Sequence, residues 1–136
     1  RRAVMCLDRQ TRVDEFPENG IGYKVFIKLD AISYESVFRS QIVIRDYEYL
    51  ASKDLIYDGN DLTYPSGFHI YPHLNAAEIL FQGFSRAQPL KRYAIVQVSY
   101  RERHTCGTED GYPVIVANYM KLLKEINHGK DMQSSN

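Results

Sequence analysis

From Tyr23 to Leu29 apolar and basic side chains alternate, so Val25, Ile27 and Leu29 share one strand face and Lys24 and Lys28 the other. The turn signal Asn19-Gly20 precedes this strand, and the pattern predicts one that is half buried. Ser33–Arg39 and Gln41–Tyr49 are rich in β-branched and aromatic residues and lack helix caps, which predicts that an antiparallel meander continues. Ala51–Ser66 carries turn chemistry at Asp58-Gly59-Asn60-Asp61 and a breaker at Tyr64-Pro65-Ser66-Gly67, so a loop is expected there.

Phe68-His69-Ile70-Tyr71 reads as a short strand leading into a helix. Asn75 is its predicted N-cap, with Glu78 three residues on, Ile79 and Leu80 at helical spacing, and a stop near Gly83. Tyr93–Arg103 is the clearest strand: Ala94, Val96, Val98 and Tyr100 face one way, and Ile95, Gln97, Ser99, Arg101 and Arg103 the other. A polar loop at Thr105–Gly111 and a strand at Pro113–Val116 follow. Asn118 then reads as the cap of a terminal helix whose stripe is Tyr119, Leu122, Leu123 and Ile126. The expected fold class is α+β, a mainly antiparallel sheet with two short helices, one after Asn75 and one C-terminal. One domain is expected over residues 5–128, with residues 1–4 an added remnant and 129–136 a disordered tail.

Length and composition narrow the class. A chain of 136 residues can bury one core without staples, and 44% apolar with 25% charged residues is ordinary globular usage. Seventeen basic residues balance seventeen acidic ones, which removes the overall field that drives binding to duplex DNA or RNA and confines any anion site to a local cluster. No stretch has the length and apolarity of a membrane span, and two cysteines, Cys6 and Cys106, make no disulfide framework, so a cytoplasmic setting is expected. Eleven tyrosines suit half-buried sheet surfaces and interfaces.

Two stretches carry candidate chemistry. In Arg101-Glu102-Arg103-His104, strand alternation places both guanidinium groups on one face, where two planar forks can clamp a phosphate, and Lys24 and Lys28 join them if the strands are neighbours. In Gly67-Phe68-His69-Ile70-Tyr71, alternation places His69 and Tyr71 on one face and Phe68 on the other, and an aromatic ring beside a histidine can hold a nucleobase. A solvated strand end and ordinary core packing are the bland alternatives for the two stretches. Cys6, His104 and Cys106 are the one thiol and imidazole set that invites a metal; without paired spacing they predict none, and no cofactor is expected.

The order Met5-Cys6-Leu7, Gly22-Tyr23-Lys24-Val25-Phe26, Gly67-Phe68-His69-Ile70-Tyr71 with a helix after it, and Gly111-Tyr112-Pro113-Val114-Ile115-Val116-Ala117 resembles small bacteriophage-encoded proteins. Within these it is similar to the anti-defence sponges that inhibit Thoeris immunity by sequestering cyclic ADP-ribose isomers, some also holding cyclic oligonucleotides, as sheet-cored oligomers. The resemblance implies tight binding without turnover, in a homo-oligomer in the host cytoplasm. Arginines would hold diphosphate, an aromatic ring adenine, and an asparagine ribose or base. The strand-face argument supplies Arg101, Arg103, Phe68 and Asn118 for those parts, beside Lys24, His69, Tyr71 and His104. Two other readings stand alongside: a phage protein that inhibits a host protein by direct binding, and an enzyme similar to the ADP-ribosyltransferases, for which Glu102 or Glu109 and Lys24 are the available groups.

Overall fold

The computed structural model describes residues 6–38 and 41–126. The expected remnant at 1–4 and tail at 129–136 lie outside them. The strands run in chain order β1 (Arg9–Gln10), β2 (Gly20–Lys28), β3 (Ser33–Ser36), β4 (Ile42–Ile44), β5 (Glu48–Leu50), β6 (Leu55–Tyr57), β7 (Thr63–Pro65), β8 (Phe68–Ile70), β9 (Tyr93–Glu109) and β10 (Tyr112–Ile126). One α-helix, α1 (Leu74–Ala87), lies between β8 and β9, and a single 3-10 turn spans Val13–Glu15.

A long hairpin organises the sheet. β9 has 17 residues and β10 has 15, joined by Asp110 and Gly111 at φ 52° and 84°, the two left-handed positions of a type I′ turn. The polar loop expected at Thr105–Gly111 is therefore mostly strand. The terminal helix expected after Asn118 is also strand, because β-branched and aromatic residues pair in register with β9 through Ile126↔Ile95. Tyr119, Leu122 and Ile126 fit helical spacing as well as a bulged strand, and the ladder decides between them.

β2 pairs with β9 from Gly20↔Tyr100 to Ile27↔Tyr93, and β3 and β4 extend the sheet beyond β2, giving the order β4-β3-β2-β9-β10-β5. β8 joins the free edge of β10 through Ile70↔Ile115, Val116↔His69 and Ala117↔Phe68. Tyr71, the next residue, then exchanges both main-chain hydrogen bonds with Tyr23 on the far edge of β2, at 2.7 and 2.9 Å. That pair rolls the sheet shut along β2-β9-β10-β8. Gly22 permits the approach: a Cβ there would sit 2.7 Å from the Tyr71 carbonyl oxygen and 2.5 Å from Ile70.

Rolling gives the sheet an inside and an outside, both covered. Phe26, Tyr34, Val43, Ile70, Val96, Val98, Ile115, Met120 and Leu122 pack inside. Outside, Val25, Ile95, Val114 and Val116 pack against Ala76 and Ala77 of α1 and against Leu7 and Tyr64. The half-buried strand expected at Tyr23–Leu29 is thus corrected: Phe26 on the lysine face is fully buried, and Lys28 pairs with Glu125 at 2.9 Å. α1 begins at Leu74 and continues past Gly83 to Ala87; the Asn75 carboxamide accepts from the neighbouring Ala76 N–H at 2.8 Å instead of serving as the N-cap. No helix of the described residues is long and apolar enough to cross a membrane.

The segment expected as a loop at Ala51–Ser66 contains the β6–β7 hairpin, tied down by the buried Asp58 carboxylate. It accepts from the Asn60 and Leu62 amides at 2.8 and 3.0 Å and from the Gln10 side chain at 3.0 Å. Burial pushes the Asp58 pKa up, but the donors from Leu62, Gln10 and Asn60 outweigh it and hold the carboxyl below its ordinary 3.8. A depressed folded-state pKa contributes stability that is complete above the unfolded value and is lost as pH falls through the folded one. Asp58→Asn is therefore expected to flatten the acid side of the stability profile relative to wild type, measured by urea unfolding between neutral pH and the carboxylate range.

Candidate functional site

The rolled sheet is not sealed along its whole seam. β3 and β4 make no pairing with β5 or β8, and a cavity of about 440 Å3 lies between them. Its walls come from six elements: Lys24 and Phe26 of β2, Ser36–Phe38, Gln41 and Val43 of the β3–β4 hairpin, Leu50–Ser52 after β5, Gly67–His69 and Tyr71 around β8, Leu80 and Phe84 of α1, and Met120 of β10. Phe38 meets Phe84 edge to face at 5.9 Å, and Phe84 stacks on Tyr93 at 5.3 Å, so aromatic rings form the rim.

Four of the sequence candidates line this cavity: Lys24, Phe68, His69 and Tyr71. Lys24 Nζ donates to the His69 carbonyl oxygen at 2.8 Å, which fixes an ammonium on the wall between β2 and β8. It is the one lysine or arginine among the described residues of the lining. Phe68 packs partly on the inner core and presents its remainder to the cavity.

The His69 imidazole is held from behind. Its Nδ1 lies 3.2 Å from the Gly67 carbonyl oxygen, which can only accept, so Nδ1 carries the proton and Nε2 is the acceptor. The Tyr64 hydroxyl, 3.0 Å from Nε2, donates to it and accepts from the Leu7 amide at 2.8 Å. Burial raises the Tyr64 pKa well above that of a free phenol, so the donor stays protonated. This chain crosses from the N-terminal segment through β7 to β8 and locks the ring that the sequence offered as a base-binding group.

The other four candidates lie elsewhere. Strand alternation fails at Glu102, whose φ is +57°, and the ladder shifts between Thr105↔Val116 and Arg103↔Ala117, leaving His104 as the extra residue of a bulge. Arg101 turns across the Tyr119 ring, 3.9 Å from its centre, and makes two 2.8 Å bonds to Glu48 of β5. The Glu48 hydrogen bond raises the Arg101 pKa, and the Arg101 guanidinium lowers that of Glu48. Arg103 Nε turns to the opposite edge of β9 and donates to the Pro17 carbonyl oxygen at 3.3 Å. The two guanidinium groups therefore form no common phosphate clamp.

His104 Nδ1 contacts the Thr105 hydroxyl at 2.8 Å, while its buried Nε2 makes no hydrogen bond of good geometry; the Ser66 main chain is the nearby group that favours its charged form, but burial wins and lowers its pKa. Asn118 donates to Glu102 at 3.1 Å on the outer surface. Comparison with family models, curated proteins and solved structures finds no match to this chain.

Sequence reasoning missed Phe38, Gln41, Leu80, Phe84 and Met120. No local motif marks them, because each meets the cavity only after the sheet has rolled. Alternation set Phe68 opposite His69 and Tyr71, yet all three border the cavity. Tyr64→Phe removes the donor to His69 and the acceptor for Leu7. It should destabilise the protein by about 1–3 kcal/mol in urea unfolding, the usual cost of stranding a buried polar group.

Proposed function

We propose that the chain binds, without turnover, a small organic anion with a flat apolar body, and that a nucleotide is the class that fits this cavity. The observation that carries the reading is the convergence of Lys24, Phe68, His69 and Tyr71, the β3–β4 hairpin and α1 on one aromatic-rimmed space. About 440 Å3 lies within the range of small-ligand cavities. The aromatic rim suits a base by stacking, and the Lys24 ammonium suits one phosphate as a point charge.

A single lysine matches one phosphate better than a diphosphate, so the lining favours a mononucleotide or one phosphate of a cyclic oligonucleotide over a two-arginine grip on diphosphate. Sequestration of a cyclic nucleotide immune signal by a phage protein is the biological form of this proposal. A second reading, inhibition of a host protein by direct binding, is favoured by the exposed Leu55, Tyr57 and Leu62 on and beside the β6–β7 hairpin.

A thermal-shift screen against adenosine monophosphate, cyclic ADP-ribose isomers, cyclic dinucleotides and nicotinamide dinucleotide tests it, because a ligand of the native state raises the melting temperature. At least one phosphate-bearing ligand should stabilise the wild type and be recovered intact by chromatography. Lys24→Met should weaken its affinity about tenfold, near 1.4 kcal/mol, while Arg101→Ala leaves it unchanged. Recovery of an altered ligand would make the chain an enzyme, and no shift with any of them would move the reading to a protein partner.

A further inference from the structure

A strand at a sheet edge carries main-chain donors and acceptors that another strand or a covering side chain must satisfy. On three edges of this fold a side chain takes such a group. The Tyr49 hydroxyl accepts from the outward amide of Ile44 on β4 at 2.9 Å, Lys24 donates to the His69 carbonyl oxygen of β8 at 2.8 Å, and Gln10 donates to the Thr63 carbonyl oxygen of β7 at 3.2 Å.

β6 has no such cover. Its ladder with β7 is flanked by two main-chain bonds, from the Asp58 amide to the Leu62 carbonyl at 2.9 Å and from the Ser66 amide to the Asp54 carbonyl at 2.7 Å, so Asp54, Ile56 and Asp58 are the residues that face β7. Leu55 and Tyr57 therefore turn their main chains to the free edge. Pro65, which has no N–H to give, stands opposite Leu55 as that alternation requires. Neither Leu55 nor Tyr57 makes a main-chain hydrogen bond with the described residues.

The side chains of the same two residues are 66% and 63% exposed, while Ile56 and Tyr64 on the opposite face pack on the outer core. Open main-chain groups at strand spacing, with an apolar row beside them, mark a surface for strand addition.

We propose that a second copy of this chain occupies this edge. β6 pairs antiparallel with β6 of the other copy about a twofold axis at Ile56, which joins two β6–β7 hairpins into one four-stranded sheet. Leu55 of each copy then forms a hydrogen-bonded pair with Tyr57 of the other, and every outward N–H and C=O of these two residues finds a partner. The apolar row runs Leu-Tyr against Tyr-Leu, so the face complements itself.

Charge favours the same arrangement. Exposed Lys53 precedes β6 and exposed Asp61 lies on the hairpin tip after it, so antiparallel pairing brings the lysine of one copy to the aspartate of the other. Asp54 comes opposite Asp58 of the second copy, whose carboxylate is already held by the Asn60 and Leu62 amides and the Gln10 side chain. Seventeen basic and seventeen acidic residues cancel, so two copies meet without net repulsion. The proposal does not rest on the nucleotide reading and needs no ligand.

Sedimentation of the ligand-free chain between about 1 μM and 1 mM should show reversible growth to twice the monomer mass, because a small interface gives a weak dimer. The Leu55 and Tyr57 amides should lose protection from hydrogen exchange on dilution, whereas the amide of Ile56, paired with Tyr64, keeps its rate. Tyr57→Lys puts a charge in the apolar row and leaves the buried face of the hairpin intact, so it should fold as wild type and weaken the dimer at least about tenfold. Lys53→Glu should weaken it about two- to tenfold, and adding Asp61→Asn, a residue suited to the left-handed backbone at φ 60°, should recover part of that loss. A monomer throughout the range would overturn the proposal and leave the hairpin to a different protein. So would a dimer whose Leu55 and Tyr57 amides exchange as freely as in the monomer, or a Tyr57→Lys chain that pairs like wild type.

Discussion

The two hydrogen bonds between the main chains of Tyr23 and Tyr71 turn a flat sheet into a rolled one, and the rest of the structure depends on them. β2 and β8 occupy opposite edges of the β9–β10 hairpin, so pairing them brings the edges together. An exposed edge is thereby removed, which is how many all-antiparallel sheets avoid association. The inside of the roll is filled by aliphatic and aromatic side chains, and the outside is left to α1 and the β6–β7 hairpin. Gly22 is the local condition for this closure, because any side chain there would stand between the two strands.

The same closure explains where the cavities lie. The β3–β4 hairpin makes no pairing with β5, and the cavity between them has Lys24 on its wall. A second cavity, of about 340 Å3, lies between α1 and the tip of the β9–β10 hairpin. Tyr71, whose main chain makes the closure, lines both.

The sequence carried the strands well wherever alternation was strict. Tyr93–Arg103 shows the two-face pattern of a strand, and Ala94, Val96, Val98 and Tyr100 do point into the inner core. Tyr119 to Ile126 satisfied two periods at once, and only pairing with β9, a long-range event, selects strand over helix. The arginine face was misread at Glu102, whose left-handed backbone at φ 57° stands between Arg101 and Arg103 with no local signal to mark it. Arg101 and Arg103 look like one cluster in the chain, yet Glu48 on β5 and Pro17 before β2 draw them to opposite edges. Around Phe68 the outcome is the reverse: alternation set Phe68 opposite His69 and Tyr71, yet all three border one cavity.

Closure by a single residue pair is the central claim, and native-state hydrogen exchange reads it directly. The amides of Tyr23 and Tyr71 should exchange as slowly as those of Val96 and Val98 in the middle of β9, since opening either requires unrolling the sheet. Exchange of these two amides at the rate of exposed residues outside the ladders, such as Lys53 and Leu90, with β9 still protected, would contradict it and leave an open sheet without a defined seam.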